Sequence, residues 1–260
     1  TIDIADGVYR EVVKIFGIDL EPDKYLTITG DESWTVGSGS PAVRVTGNDN
    51  ETTATRVRTN CMYVRNCAGL RVEGLLFDNA GGYGVIVKGS SCEFSKCRYY
   101  ENNGVGVNCM YGSDVSFDSC LSDYNGGHGF CTRRNSFTSF TDCVATQNDG
   151  CGFTSWYNVH SNFTDCEGTY NGEHGVLMNI LSSGSFYSTG NYSHNDMSGS
   201  VAAHNSRAWH AGGYNGNLDY NGQWGYEIRY DGYMEDVHLN STTGNGSGVE
   251  RVDNGGSKFD

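Results

Sequence analysis

The stretch Phe140-Thr-Asp-Cys143-Val-Ala-Thr-Gln-Asn148-Asp-Gly-Cys-Gly152-Phe153 is one copy of a unit that recurs through Val72–Val176. Phe94, Phe117, Phe140 and Phe163 are 23 residues apart. So are Cys97, Cys120, Cys143 and Cys166; Asn102, Asn125, Asn148 and Asn171; and Gly106, Gly129, Gly152 and Gly175. Four columns with one period, F-x-x-C-x4-N-x3-G-[VF], mark a stacked repeat in which each unit packs on its neighbours.

The chemistry of the unit chooses the architecture. A helical-pair repeat needs apolar runs of about 10–12 residues at helical spacing. Here the runs are short and alternate, as in Val115 and Phe117 or Val85 and Val87, with Gly, Asn, Ser and Asp between them. That is strand and turn in succession. The L-x-x-L-x-L skeleton of a leucine-rich horseshoe is absent. The period therefore predicts an all-β fold: a single-stranded right-handed parallel β-helix of about ten to eleven coils at ~23 residues each, with handedness from the crossover rule. Phe and Cys should point inward and stack about 4.8 Å from their equivalents. Asn should sit at a turn, where left-handed backbone suits it and its amide can bond the next coil. The glycine column should let the backbone bend closely.

Outside the regular stretch the spacing loosens. Residues 1–60 are predicted to be irregular first coils, with strands at Tyr25–Gly30 and Ala42–Thr46 and loops at Asp31–Ser40 and Gly47–Thr53. Residues 61–200 form regular coils. Residues 201–260 form looser final coils ending in a polar loop, DNGGSKFD. One domain spans the whole, and without a helical cap at either end it is expected to be part of a longer chain or to be covered by partner chains, since open solenoid ends pair edge to edge.

Composition agrees. Glycine is abundant at 37 and proline scarce at 2, which suits strands paired on both edges. The net charge of −14, with only 17 Lys and Arg, argues against nucleic acid and against an anionic membrane surface. No apolar run is long enough to span a bilayer. The ten cysteines could bridge between coils, but four stack in one inward column and there is no C-x-x-C pair; reduced, buried packing thiols are the expectation, with no metal site and no cofactor. Reduced thiols fit assembly in a reducing cytoplasm.

The opening, Thr1-Ile-Asp-Ile-Ala-Asp-Gly-Val-Tyr-Arg-Glu-Val-Val-Lys-Ile15, resembles the first coil of the pectin-lyase-like right-handed β-helix superfamily. That superfamily includes pectate lyases, pectin methylesterases, alginate epimerases, and bacteriophage tailspikes and tail fibres. The resemblance is specific for fold and weak for activity. The R-x-x-P, D-F-I-F-G, L-G-R-P-W and D-P-H-E-Q segments of its enzymes are missing, so none of their catalytic residues carries over to this chain.

Chemistry must then be sought residue by residue. Asp142 and Asp165, like Asp114 and Asp118, could pair as glycosidase carboxylates, but they recur with the period and are expected on a solvated outer face. His128 and His174, in G-G-H-G-F and G-E-H-G-V, share a column with Val105, Cys151 and Trp224, so a structural role is favoured. A more suggestive cluster follows the G-[VF] strand: Tyr111, Arg133, Arg134, Trp156, Tyr157 and His160, one or two periods apart. Aromatic rings beside guanidinium groups suit a sugar: the ring covers a pyranose face and Arg bonds hydroxyls or carboxylates. A homotrimer interface wants the same residues. A second aromatic group is Trp209, His210, Tyr214, Tyr230 and Tyr233. Three functions follow: a tail-fibre or tailspike component of a virion that is structural and binds a host-surface polysaccharide; a polysaccharide lyase or glycoside hydrolase on the same scaffold; or a secreted bacterial carbohydrate-binding solenoid. The missing enzyme segments favour the first.

Overall fold

Each 23-residue unit folds as three short strands separated by three bends, as in Asp114–Asp118, Leu121–Asp123 and Phe130–Arg133. The computed structural model describes residues 1–21, 23–47, 59–187, 190–210, 216–235, 239–241, 243–252 and 257–259. In the regular coils strands pair in parallel with their equivalents one period on: Phe117 with Phe140, Leu121 with Val144, Phe130 with Phe153. Stacking the coils builds three sheets. Sheet A has eleven strands, sheet C has ten, and sheet B has seven with a separate pair further on. The result is a right-handed parallel β-solenoid, and no helix occurs among the described residues.

The core is a set of ladders. Phe94, Phe117, Phe140, Phe163 and Phe186 stack at 4.8–5.5 Å between ring centroids. Phe130 and Phe153 stack from sheet C at 5.2 Å and meet the first column edge to face. Offset and T-shaped contacts are the preferred aromatic geometries, so the two columns lock each other's rotation. All ten cysteines are buried and unbridged. Those of the inward column turn each thiol to a carbonyl two residues back, as Cys143 Sγ does to Thr141 O at 3.2 Å.

The asparagine column is buried at the bend between sheets B and C. Asn102, Asn125, Asn148, Asn171, Asn195 and Asn221 each donate from Nδ2 to the next Asn Oδ1 at 2.9–3.2 Å. The same Oδ1 accepts the previous Asn backbone N–H, as between Asn148 and Asn125 at 3.1 Å. The left-handed residue is not the Asn, as the sequence suggested, but the one before it: Glu101, Tyr124, Gln147, Tyr170, His194 and Tyr220 have φ of 49–58°. Asn keeps ordinary backbone because its amide does the work of satisfying the bend. Gly152 follows for closeness of approach: a Cβ there would lie 2.8 Å from Gly175 O and 2.9 Å from Asn171 Nδ2.

The solenoid has about nine coils, not the expected ten to eleven, and its end differs from expectation at one further point. Ser257–Phe259 is a strand that pairs with Tyr233–Glu235, so the end of the chain extends sheet A instead of forming a polar loop throughout. Residues 48–53 of the expected early loop lie outside the described residues.

Candidate functional site

The bend from sheet C back to sheet A carries two successive left-handed residues in each coil: Tyr111-Gly112, Arg134-Asn135, Tyr157-Asn158, Ile180-Leu181, His204-Asn205 and Tyr230-Asp231. A serine closes it from inside. Ser136 Oγ donates to Arg133 O at 2.8 Å and accepts the Ser113 amide at 3.2 Å, and Ser182 serves Asn179 and Val159 in the same way. These bonds fix the bend, so the first left-handed residue of each coil stands in line with the next. Tyr111, Arg134 and Tyr157 are thereby aligned over three coils, and Tyr111 and Tyr157 are 50% and 44% exposed. The Arg134 guanidinium lies 4.7 Å over the Tyr111 ring and donates to its hydroxyl. Tyr111, Gly112, Arg134, Asn135 and Tyr157 line an open cavity of about 810 Å³.

Arg133 and Trp156 sit one position earlier, paired in register at the end of sheet C. Both point outward and are half-buried, with the Arg133 Cζ 5.7 Å from the Trp156 ring. Arg133 folds back so that Nε donates to Cys131 Sγ at 2.9 Å. His160 opens the next strand of sheet A, where it is exposed, stacks on Phe137 at 5.5 Å and contacts Ser183 Oγ through Nδ1 at 2.7 Å. The six residues thus occupy three neighbouring columns around one corner.

Of the second aromatic group, Tyr230 joins this corner and stacks on His204 at 4.5 Å. Trp209 lies on sheet A against Tyr187, and Tyr233 beside Arg207. Tyr214 and the side chain of His210 lie outside the described residues.

The outward side of sheet C is deeper than alternation implies. Asn108, Cys131 and Thr154 face away from the core yet are almost fully buried. The Asn108 amide has no hydrogen-bond partner at either atom, nor does the Trp156 indole N–H. Beside this furrow, His128 Nδ1 accepts the Cys151 amide at 3.0 Å, and His174 Nδ1 accepts the Ser198 amide at 3.1 Å. Burial pushes His128 below the usual imidazole range; Glu173 opposes the shift and Arg133 adds to it. His174 is pushed down to about 4, by burial first and then by Arg229. Both histidines are therefore neutral backbone acceptors, as the Val and Cys in their column implied.

Of the acids, Asp114 and Asp118 are exposed at the two ends of the strand Asp114–Asp118, whereas Asp142 and Asp165 are turn residues. Asp142 and Asp165 hold left-handed positions with φ of 50° and 52° at the bend between sheets A and B. Burial, then Asp165 and Asp118, raises the Asp142 carboxyl. At the opposite bend, Tyr124, Tyr170 and Tyr220 are 48–59% exposed, and His194 is stacked between Tyr170 and Tyr220 at 4.8 and 5.1 Å. Sequence reasoning passed over this column, although each Tyr directly precedes a ladder Asn.

Residues 41–199 match the family model of the right handed beta helix region, and the chain belongs to that family. No curated protein matches it in sequence. Among solved structures it resembles a point mutant of the periplasmic alginate epimerase AlgG, with a TM-score of 0.58 and 13% identity over 99% of this chain and 70% of the other. It also resembles the A-module of the Azotobacter vinelandii mannuronan C-5 epimerase AlgE6, with a TM-score of 0.55 and 12% identity over 99% of this chain and 90% of that one. An alginate lyase from Paenibacillus sp. str. FPU-7 matches with a TM-score of 0.50 and 10% identity over 96% and 90%. At such identities the likeness is one of fold.

Proposed function

We propose that the protein binds an extended polysaccharide along the corner between sheets C and A. The carrying observation is the open cavity of about 810 Å³ formed by Tyr111, Arg134 and Tyr157. Two half-exposed rings offer apolar surface for sugar faces, and the guanidinium between them offers donors for hydroxyls or a carboxylate. Solved structures with this fold include enzymes named for alginate, which supports a polysaccharide as the ligand class. The setting we favour is a tail fibre or tailspike of a virion, where the solenoid is a structural part, stands as a homotrimer and contacts a host-surface glycan. Ten buried, unbridged thiols suit assembly in a reducing cytoplasm.

Calorimetric titration with acidic and neutral oligosaccharides tests the binding. Tyr157→Ala should weaken it by about 1–2 kcal/mol, roughly five- to thirtyfold, while leaving the fold intact. Unchanged affinity in both Tyr157→Ala and Arg134→Ala would remove the corner from consideration. Mass in solution separates the settings: loss of a trimer on substitution assigns the corner to subunit contact.

A polysaccharide lyase or hydrolase is the second reading. It is favoured by the neutral His128, 4.0 Å from the Glu173 carboxylate and close to Arg133 in the furrow beside the corner. Cleavage of a polysaccharide, lost in His128→Ala, would support it.

A further inference from the structure

We propose that His128, Cys151 and Glu173 form a binding site for a divalent transition-metal ion of zinc's class. One nitrogen, one sulfur and one carboxylate oxygen lie within 4.8 Å of one another. Cys151 Sγ is 3.2 Å from Glu173 Oε2, and His128 Nδ1 is 4.0 Å from the same oxygen. Tetrahedral zinc, with ligand bonds of about 2.0–2.3 Å, sets its ligands roughly 3.3–3.7 Å apart. The two separations bracket that range, and the third, from His128 to Cys151, is no more than 4.8 Å, so side-chain shifts of Glu173 and His128 together would complete the geometry.

The donor set fixes the class of ion. Magnesium and calcium take oxygen ligands, whereas a mixed nitrogen, sulfur and oxygen set suits a borderline-soft ion. Access is one-sided. The Glu173 side chain is 46% exposed and that of His128 17%, while Cys151 closes the rear, so the ion enters past the carboxylate and keeps an open position toward solvent. Three protein ligands and one open position is the arrangement of reactive zinc sites. Binding exchanges two existing bonds. The Cys151 thiol, which donates to Glu173, loses its proton to solvent as the metal–sulfur bond forms. His128 Nδ1 turns its lone pair from the Cys151 amide to the ion. The Trp156 ring lies 6.5 Å from that of His128 and borders the site.

The site stands independently of the glycan reading. Titrating the full chain with Co²⁺ should give one equivalent bound, with thiolate-to-cobalt charge transfer in the near ultraviolet. Zn²⁺ should displace it and Ca²⁺ should not. Cys151→Ser should abolish the charge-transfer band. Glu173→Gln, at a half-exposed side chain, should weaken binding at least about tenfold. Absence of the band in the parent at saturating Co²⁺, or parent-like affinity in Glu173→Gln, overturns the proposal, and both readouts remain should Cys151→Ser not fold.

Discussion

His174 shows how one residue ties the stack to pH. Its ring is 5% exposed and its Nδ1 accepts the Ser198 amide, a role that needs the neutral form. Burial, then the Arg229 charge, pushes its pKa down to about 4, against about 6.5 in an unfolded chain. As pH falls, the unfolded chain takes up this proton first. The stability that neutral His174 contributes is therefore complete above about pH 6.5 and is lost progressively as pH falls toward about 4. At about 1.4 kcal/mol per unit the whole window is worth about 3 kcal/mol. Urea unfolding of the parent and of His174→Gln at about pH 7.5 and pH 4.5 measures it, because carboxylates titrate alike in both. The parent should lose more stability than the variant between the two values. Equal losses would mean that His174 is not protonated on unfolding.

At the scale of the coil, the glycines separate packing from conformation. Gly152 has ordinary backbone, but a Cβ would stand 2.8 Å from Gly175 O in the next coil. Gly112 has a φ of +73° and nothing within 4 Å of a Cβ. Gly152→Ala should therefore force adjacent coils apart and cost about 1–3 kcal/mol. Gly112→Ala strains only its own backbone, at about 1 kcal/mol or more. Denaturant midpoints of the two variants test this, and a Gly112→Ala loss exceeding that of Gly152→Ala would show that coil spacing is not what the column protects. The Phe, Cys, Asn and Gly columns were legible in the sequence because a stacked repeat writes its register as its period. Pairing Phe117 with Phe140 required only that number. The same reasoning aligned Tyr111, Arg134 and Tyr157. What the period does not carry is depth. Cys131 and Thr154 alternate as outward residues yet are buried, Cys131 beneath the Arg133 side chain that folds back onto it. Nor does it say which residue of Tyr124-Asn125 turns left-handed, because Asn suits both the turn and the ladder, and the ladder bonds decide.

For the molecule as a whole, the solenoid turns a local contact into a track. Tyr111, Arg134, Tyr157, Ile180, His204 and Tyr230 occupy equivalent places in six successive coils. Five coil steps at about 4.8 Å give a strip about 24 Å long, parallel to the solenoid axis. A compact ligand would fill one cavity; an extended polymer would meet one side chain of this column at each step, three of the six being tyrosines. If the proposed glycan lies along this corner, affinity should rise with chain length until the strip is covered and then level off, because each added sugar gains contact without a second association cost. Calorimetry with a size series of one oligosaccharide reads this directly. Tyr230→Ala should weaken the longest oligomers several-fold and leave the shortest ones, seated at Tyr111 and Tyr157, unaffected. A disaccharide that binds as tightly as the longest oligomer would confine recognition to the single cavity. Equal weakening of all lengths by Tyr230→Ala would place the ligand elsewhere on the coil.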